Sequence, residues 1–347
     1  MVSLYDLSLA ELTEFCVGLG ERPFRARQLY AWLYGKGEND FSRMTDISEV
    51  VREKLSSSSC AGGIVLVRTL ASNDGQTTKH LFELPDGDCI ETVFMKYRDR
   101  NSICISTQAG CRMGCRFCAS GLNGLKRNLS AAEMALQVIL SEREAGARTK
   151  NIVLMGVGEP LDNYDNVRKF IENITDDHGR DLSRRAITIS TCGIVHGIER
   201  LAKELPQVNL AVSLHAPNDA LRAKIMPITK KYGVREVIEA TRKHYEATRR
   251  RSTFEYALIE GFNDGTEHAK ELAALLKGMN CLVNLIPLNQ ADVPDSGRGS
   301  GSVTAERFRE ELGRRHVPAT VRKSLGSDIG AACGQLRLRK VLSETSL

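Results

Sequence analysis

The sequence of 347 residues predicts an α/β fold in which strands and helices alternate to form a partial (βα)6 barrel of the TIM type. Three observations support this class. Six apolar runs rich in β-branched residues follow residue 101, and helical stretches separate them. Strand-like runs joined by turns precede these units, and a helical segment precedes both. We therefore expect a small helical N-terminal domain, a short β extension and a barrel whose strand ends carry the functional residues.

Residues 1–60 are predicted to form the helical N-terminal domain. In ERPFRARQLYAWLYGKG, one apolar face recurs at helical spacing through Ala26, Leu29, Tyr30 and Leu33. Gly35 and Gly37 are suited to end that helix. Taken alone, this pattern favours a packed helical bundle over an RNA-gripping module.

Residues 61–100 are predicted to form the antiparallel β extension. The serine-rich stretch SSSSCAGG at 56–63 is typical of a linker. The runs IVLVRTL, KHLFELP and CIETVFMKY follow it, separated by NDG and PDG turns.

Residues 101–326 are predicted to form the barrel, and residues 327–347 a C-terminal tail. The six predicted barrel strands are SICIST (102–107), NIVLMG (151–156), AITIST (186–191), VNLAVSLH (208–215), TFEYALIE (253–260) and CLVNLIPLN (281–289). Ser130 with Glu133 forms a capping box at the start of the first barrel helix. A doubly wound sheet would fit the alternation, but it gives no reason for polar residues at every strand end.

The composition excludes a membrane-spanning chain. Hydrophobic residues make up 42% and charged residues 26%, and no apolar run is long enough to cross a bilayer. The net charge of +5 permits a nucleic-acid partner without requiring one. We expect a cytoplasmic protein whose ten cysteines are reduced, so that clustered thiols indicate metal binding or catalysis.

The stretch GCRMGCRFCASG carries the most specific chemical signal, with thiols at Cys111, Cys115 and Cys118. Structural zinc needs four ligands, and Cys104 or a distant residue would have to supply the fourth. A catalytic zinc ion takes three protein ligands, but the sequence shows no nearby general base for it. An iron–sulfur cluster is the other cytosolic solution, and three thiolates would leave one iron of a [4Fe–4S] cluster open to a small ligand.

This CxxxCxFC loop after the first barrel strand resembles the radical S-adenosylmethionine (SAM) superfamily. The resemblance implies a [4Fe–4S] cluster held by these three cysteines, with SAM chelated by the open iron and cleaved to a 5′-deoxyadenosyl radical. In GVGEP, Glu159 is placed to hold the SAM ammonium and Gly158 permits a close approach.

A narrower resemblance, covering nearly the whole chain, is to the RlmN/Cfr family of RNA adenine methyltransferases. It rests on SICISTQAGC, MGVGEPLDNYDNV, RRAITISTCG, VSLHAPND, LRAKIMPITKKY, FEYALIEGFND, NLIPLN and SDIGAACGQL. It implies that a first SAM methylates Cys333 and that the radical from a second takes hydrogen from this methyl group. Cys104 then attacks the Cys333 sulfur, which forms a disulfide bond and releases the product, and Glu91 accepts the ring proton.

The resemblance also implies the SAM contacts and the role of the N-terminal domain. The matching cofactor residues are Gly158, Glu159, Ser190, Ser213, Leu214, His215 and Asn289. Residues 1–60 match an accessory RNA-binding domain. Thr229 stands where many members have asparagine, which puts an RNA contact there in doubt.

The implied activity is methylation of adenosine C2 in the peptidyl transferase centre of 23S rRNA, with the adenosine 3′ of the tRNA anticodon as a second target. Such a base must be unstacked to reach the barrel mouth. The expected partners are 23S rRNA, tRNA and an electron donor such as flavodoxin or ferredoxin, and the chain is expected to be a monomer. A Cfr-type C8 methyltransferase is the close alternative, and a zinc-containing RNA-binding protein is the alternative from another class.

Overall fold

The computed structural model describes residues 1–289, 293, 297–322 and 325–336. The predicted tail 327–347 is therefore described up to residue 336, and its remainder lies outside the described residues. Within the predicted barrel, 290–292, 294–296, 323 and 324 also lie outside them.

The first sixty residues are helical, as their apolar spacing predicts. The helices are α1 (Leu9–Gly18), α2 (Phe24–Tyr30) and α3 (Glu49–Ser58), and the short strands β1 (Val2–Ser3) and β2 (Ser59–Cys60) pair in parallel. The chain continues from α2 as a π-helical turn, Ala31–Lys36, which Gly37 ends with a φ of +68°. All four residues of the predicted apolar face are buried.

The predicted linker at 56–63 is partly wrong, because α3 extends through its first three serines and β2 follows at once. In the last turn of a helix, serine hydroxyls can donate hydrogen bonds to the backbone carbonyls of the preceding turn. Ser56 donates to the Arg52 carbonyl at 2.9 Å, and Ser59 donates to the Leu55 carbonyl at 2.7 Å.

The β extension consists of successive strands, and strands and helices alternate in the barrel, as predicted. The remaining strands are β3 (Val65–Ala71), β4 (Thr77–Glu83), β5 (Cys89–Lys96), β6 (Asn101–Cys104), β7 (Gln108–Gly110), β8 (Leu125–Asn128), β9 (Asn151–Leu154), β10 (Ile187–Thr191), β11 (Asn209–Ser213), β12 (Ser252–Leu258), β13 (Cys281–Pro287) and β14 (Ala319–Val321). The remaining helices are α4 (Ala131–Ala145), α5 (Tyr164–Ile174), α6 (Val195–Glu204), α7 (Asp219–Ile225), α8 (Val234–Thr248), α9 (Thr266–Leu275) and α10 (Ser302–Arg314).

Within the described ranges, ten strands form one open sheet in the order β14-β13-β12-β11-β10-β9-β6-β5-β4-β3. Pairing is parallel from β6 to β14 and antiparallel from β3 to β6. The predicted partial barrel is confirmed: β6 and β9–β13 are its six strands, and β14 adds a seventh parallel one. The β extension belongs to the same sheet, since Val93 of β5 pairs with Cys104 of β6.

The helices of the barrel cover the outer face of the sheet, and the predicted capping box starts α4. Ser130 accepts the N–H of Glu133, and Glu133 accepts the N–H of Ser130. Across the part of the chain that the structure describes, no helix combines the length and the apolar character that a membrane crossing requires.

Gln137 of α4 ties the β extension to the barrel from within the core. Its amide oxygen accepts the Thr92 hydroxyl and the Ser106 N–H, both at 2.8 Å, and its amide nitrogen donates to the Ser106 carbonyl at 3.0 Å. The Ser106 hydroxyl in turn donates to the Glu91 carbonyl at 2.7 Å. These hydrogen bonds fix the position of β5 relative to the first barrel strand.

The N-terminal helices share a continuous hydrophobic core with the barrel. Asn173 of α5 forms the polar centre of their contact. Its amide nitrogen donates to the Leu7 carbonyl and the Tyr34 hydroxyl, both at 3.3 Å, and its carbonyl accepts the Tyr30 hydroxyl at 3.0 Å.

Asn173→Ala is expected to lower the free energy of unfolding by about 1–3 kcal/mol, because it leaves buried partners without their hydrogen bonds. Urea denaturation followed by circular dichroism measures this change. The control is Asp165→Ala on the exposed face of α5, where a change within about 0.5 kcal/mol is expected. Equal effects of the two substitutions would show that Asn173 does not hold the contact.

Candidate active site

The predicted cluster and cofactor residues converge on one cavity at the carboxyl ends of the parallel strands. This cofactor cavity is lined by the predicted residues Cys111, Cys115, Cys118, Gly158, Glu159, Ser190, Ser213, His215, Asn289 and Cys333. The topology explains the convergence, because all parallel strands end at the same edge. Leu214 differs: its side chain lies in the core, and its carbonyl accepts a 3.0 Å hydrogen bond from Arg222 Nε.

A two-stranded ribbon, β7 with β8, closes the loop that carries the three cysteines. Gly110 ends β7 with a φ of +81°, and a Cβ at this position would lie 2.0 Å from the Gly124 carbonyl oxygen. Only glycine fits there. The Cys111 N–H donates to that same oxygen at 3.0 Å, and the Cys118 N–H donates to the Cys115 carbonyl at 3.1 Å. Backbone contacts therefore hold the loop and leave the thiols available for a metal.

The spacing of the three sulfur atoms can be compared with the geometry of a single zinc ion. Around one tetrahedral zinc ion, bonds of about 2.3 Å would place thiolates about 3.8 Å apart. Here the three Sγ atoms do not all lie within 4.8 Å of one another. Among the described residues, the one trio of potential ligands within that limit is exposed or half-buried: Asp176, Asp177 and His178. The three thiols are therefore not arranged here as ligands of one tetrahedral ion.

The thiols themselves fit a metal centre. Burial raises the pKa of Cys111 to about 12 and that of Cys115 well above its ordinary value. Such thiols are neutral near pH 7 and lose their protons when a metal binds them as thiolates. Cys104, considered above as a fourth ligand, lies in a neighbouring cavity instead.

Glu159 presents a buried carboxylate to the cofactor cavity. Its two oxygens accept the N–H of Cys192 at 2.7 Å and of Leu161 at 3.1 Å, which fixes the orientation of the carboxylate. Burial raises its pKa, and these N–H groups oppose the shift. A cationic group in the cavity would favour the charged form, as the predicted contact with the SAM ammonium requires.

Gly158 has a more specific role than a close approach to the cofactor. Its φ is +110°, and a Cβ would lie 2.6 Å from Cβ of Gln108. The Gln108 amide oxygen accepts the Glu159 N–H at 2.8 Å. The glycine therefore lets the Glu159 turn pack against β7.

His215 ends the β11 segment in the left-handed region, with a φ of +58°. Its Nδ1 accepts the Ala257 N–H at 2.9 Å, and its carbonyl accepts the Asn263 amide at 2.8 Å. Burial, with Arg222 nearby, lowers its pKa to about 3. The ring is therefore neutral with its proton on Nε2, and the Phe117 ring packs edge-on against it at 4.9 Å.

Cys333 also lines a second cavity, the carrier cavity, together with Cys104, Tyr97, Met155 and Arg322. Cys333 is exposed and lines both cavities. Burial raises the pKa of Cys104 to about 12. Surrounding protein also raises the pKa of Cys333, against the opposing charge of Arg322.

The tail segment 325–336 is bound directly to the cysteine loop. The Ala119 N–H donates to the Gly334 carbonyl at 2.9 Å, and the Ser120 hydroxyl donates to the Leu336 carbonyl at 2.7 Å. The Asn289 amide donates to the Cys333 carbonyl at 3.3 Å. The tail therefore places Cys333 between the loop and the last barrel strand.

All ten cysteines lie among the described residues, and no disulfide bond joins any two of them. The expected disulfide bond is not part of this structure, because Cys104 and Cys333 share a cavity as thiols. A disulfide between them belongs only to the reaction cycle proposed below.

Glu91 lies outside both cavities, buried on β5 in an ion pair with Lys79 at 3.0 Å. It shares one face of the strand with Val93 and Met95, which line the carrier cavity. Lys79 Nζ also donates to the Gly330 carbonyl at 3.1 Å. The ion pair thus joins the predicted proton acceptor to the tail that carries Cys333.

Several residues of the site were not identified from the sequence. Lys79, Arg222, Arg322 and the backbone of Cys192 have no motif that marks them. Their one signal is a charged residue within an apolar strand or helix, which is weak because such residues are usually exposed. Thr229, where an RNA contact was in doubt, is buried, and its hydroxyl accepts a hydrogen bond from the Arg222 guanidinium at 3.2 Å.

Comparisons with known proteins identify the family of this chain. The family model described as "Ribosomal RNA large subunit methyltransferase N-terminal domain" matches residues 2–61, and "Radical SAM superfamily" matches residues 105–275. The chain is 48% identical over 338 residues to a protein of Desulforamulus reducens named "Probable dual-specificity RNA methyltransferase RlmN", covering 97% of this chain and 96% of that one. A protein of the same name from Thermoanaerobacter pseudethanolicus is 48% identical over 99% of this chain and 100% of its own.

A solved structure gives the same result at the level of the fold. A radical SAM methyltransferase from Sphaerobacter thermophilus superimposes with a TM-score of 0.94 at 46% sequence identity. The match covers 97% of this chain and 99% of that one.

Gly158→Ala is expected to weaken SAM binding at least tenfold, because the added Cβ meets Gln108 and a positive φ strains alanine. Equilibrium dialysis of the cluster-loaded protein measures the affinity, and iron content checks that the cluster is retained. Gly62→Ala is the control, since that position has an ordinary φ and no neighbour within 4 Å. Unchanged SAM affinity in Gly158→Ala would show that the turn carrying Glu159 does not contribute to SAM binding.

Proposed function

The chain belongs to the RlmN family of radical SAM RNA methyltransferases, and from this membership we propose that it methylates C2 of an adenosine in the peptidyl transferase centre of 23S rRNA. The adenosine 3′ of the tRNA anticodon is the proposed second substrate. The observation that carries the proposal is the position of Cys333, which lines both the cofactor cavity and the carrier cavity that holds Cys104.

The cofactors of the family are SAM and a [4Fe–4S] cluster, for which Cys111, Cys115 and Cys118 are the proposed ligands. When bound, the cluster supplies one electron that cleaves SAM and yields a 5′-deoxyadenosyl radical. Glu159 and Gly158 are proposed to orient the methionine end of SAM. The remaining proposed contacts are Ser190, Ser213, the backbone of Leu214, His215 and Asn289.

Cys333 is proposed to carry the methyl group. Adenine C2 is electron-poor and does not attack a sulfonium methyl group, so a carbon radical held on a protein sulfur replaces direct transfer. A thiol at the junction of the two cavities can take a methyl group on the cofactor side and present it to the base on the other. After the carbon radical has added to C2, Glu91 would accept the ring proton and the adduct would give up its unpaired electron to the oxidised cluster. The Cys104 sulfur would then attack the Cys333 sulfur, so that the disulfide forms as the carbon–sulfur bond breaks, and the released carbon takes up a proton to become the methyl group.

The partners beyond RNA follow from the same chemistry. An electron carrier such as flavodoxin or ferredoxin is proposed to reduce the cluster. The proposed division of labour assigns residues 1–60 to RNA binding, 61–100 to support of Glu91, 101–326 to radical formation and 327–347 to the methyl carrier. A monomer suffices for this scheme, because the described site is assembled within one chain.

Product analysis tests the proposed function. Nucleosides from 23S rRNA of a host lacking its own enzyme, complemented with this chain, should contain 2-methyladenosine by mass spectrometry. Cys333→Ala should lose product completely, because no sulfur remains to carry the methyl group, while iron content and cleavage of SAM persist. Cys281→Ala, a buried cysteine outside both cavities, is the control and should retain product.

Two results would overturn the proposal. Formation of 8-methyladenosine as the sole product would indicate the Cfr-type reaction, which the names of the relatives do not favour. Zinc without iron or sulfide in anaerobically purified protein would instead indicate an RNA-binding module. Full methylation by Cys333→Ala would refute the carrier role alone.

Lys79→Met is expected to reduce product formation at least tenfold, because the Glu91 carboxylate loses its buried cation and its link to the tail. Methylation of Cys333 itself precedes the use of Glu91 and should persist, as intact-protein mass spectrometry would show. Lys96→Met, exposed at the end of the neighbouring strand, is the control. Equal product formation by both variants would show that the reaction does not depend on the ion pair between Lys79 and Glu91.

A further inference from the structure

Arg222 is a fully buried arginine for which the described protein supplies no carboxylate partner. It lies on α7 with no solvent exposure, and within the described ranges no Asp or Glu oxygen comes within 4.0 Å of its guanidinium. Other buried cations of this protein are paired: Lys79 with Glu91 and Arg180 with Glu142. Since a buried charge is costly unless it is compensated, Arg222 requires an explanation.

Hydrogen bonds satisfy the donors of Arg222 without cancelling its charge. Nε donates to the Leu214 carbonyl at 3.0 Å. Nη2 donates to the carbonyls of Cys192 at 2.5 Å and Ser213 at 3.2 Å. Nη1 donates to the Thr229 hydroxyl at 3.2 Å and the Tyr232 carbonyl at 3.4 Å. All five N–H groups therefore have acceptors, and every acceptor is neutral.

The helix that carries Arg222 packs against the cysteine loop. Ile225, three residues after Arg222 on α7, accepts the Arg116 N–H at 2.9 Å, which joins this helix to the loop directly after Cys115. Cys192, whose carbonyl Arg222 binds, lines the cofactor cavity together with Cys115.

Nearby carboxylates are directed elsewhere. Asp219 on the same helix accepts the Val234 N–H at 2.6 Å, and Glu159 accepts the N–H groups of Cys192 and Leu161. The protein alone thus leaves a positive charge uncompensated beside the position that the cluster ligands surround.

We propose that Arg222 is the internal counter-charge of the iron–sulfur cluster and raises its reduction potential. Three thiolates outweigh the positive charge of the cluster core, so the assembly is anionic and becomes more so when it accepts an electron. A buried cation stabilises the reduced state more than the oxidised state. Arg222 is therefore a positioning residue that acts through the cluster, and this inference rests on the cluster assigned under the proposed function.

The test is a potentiometric titration of reconstituted full-length protein without SAM, followed by the electron paramagnetic resonance signal of the reduced cluster. Arg222→Gln removes the charge and should lower the equilibrium constant for reduction at least tenfold, a shift of about 59 mV to more negative potential for one electron. Arg222→Lys keeps the charge and should remain well within tenfold of the wild-type constant.

Thr229→Val is the matched control, because it removes one acceptor of Arg222 and leaves the charge in place. Its potential should equal that of the wild-type protein. A shift in Thr229→Val as large as that in Arg222→Gln would assign the effect to packing and overturn the inference. Equal potentials in Arg222→Gln and wild-type protein would overturn it as well.

Two further readouts separate the possible failures. If Arg222→Gln does not fold, Arg222→Lys still tests the inference, because a tenfold or larger loss in a variant that keeps the charge would refute it. Iron and sulfide analysis of the wild-type protein tests the premise. Absence of a cluster there would refute the proposed function, whereas a cluster with an insensitive potential would refute only the role of Arg222.

Discussion

Backbone groups at the carboxyl ends of parallel strands have no partners within the sheet, and the site is arranged around satisfying them. Arg222 binds the carbonyls of Cys192, Ser213 and Leu214. Glu159 accepts the Cys192 N–H, and Asn263 donates to the carbonyls of His215 and Ala257. The side chains that satisfy these backbone groups therefore also position the residues of the cavity wall.

The tail completes the site from outside the barrel. Hydrogen bonds from Ala119 and Ser120 attach it to the cysteine loop, and Lys79 attaches it to the β extension. Because these anchors lie on both sides of Cys333, the thiol is held at the junction of the two cavities. In the proposed reaction, radical formation and methyl transfer occur on opposite sides of this sulfur atom.

The cysteines fall into different chemical classes because of their surroundings. Three lie on a loop whose backbone is closed by Gly110 and Gly124. Cys104 and Cys333 share a cavity with Arg322, which itself pairs with Glu255 at 3.6 Å. Cys16, Cys89 and Cys281 are buried packing residues.

The sequence by itself determined the fold class, the cysteine loop and most of the cavity wall. Local patterns carry these features: alternating apolar runs specify the strands, and parallel strands must end at one edge. Only the tertiary structure decided that Cys333 lies between two cavities, that Glu91 pairs with Lys79, and that Arg222 lies behind the cluster loop. These are contacts between residues far apart in the chain, such as Ala119 with Gly334. Their energy comes from burial and hydrogen bonding in the assembled protein, and no local periodicity records them.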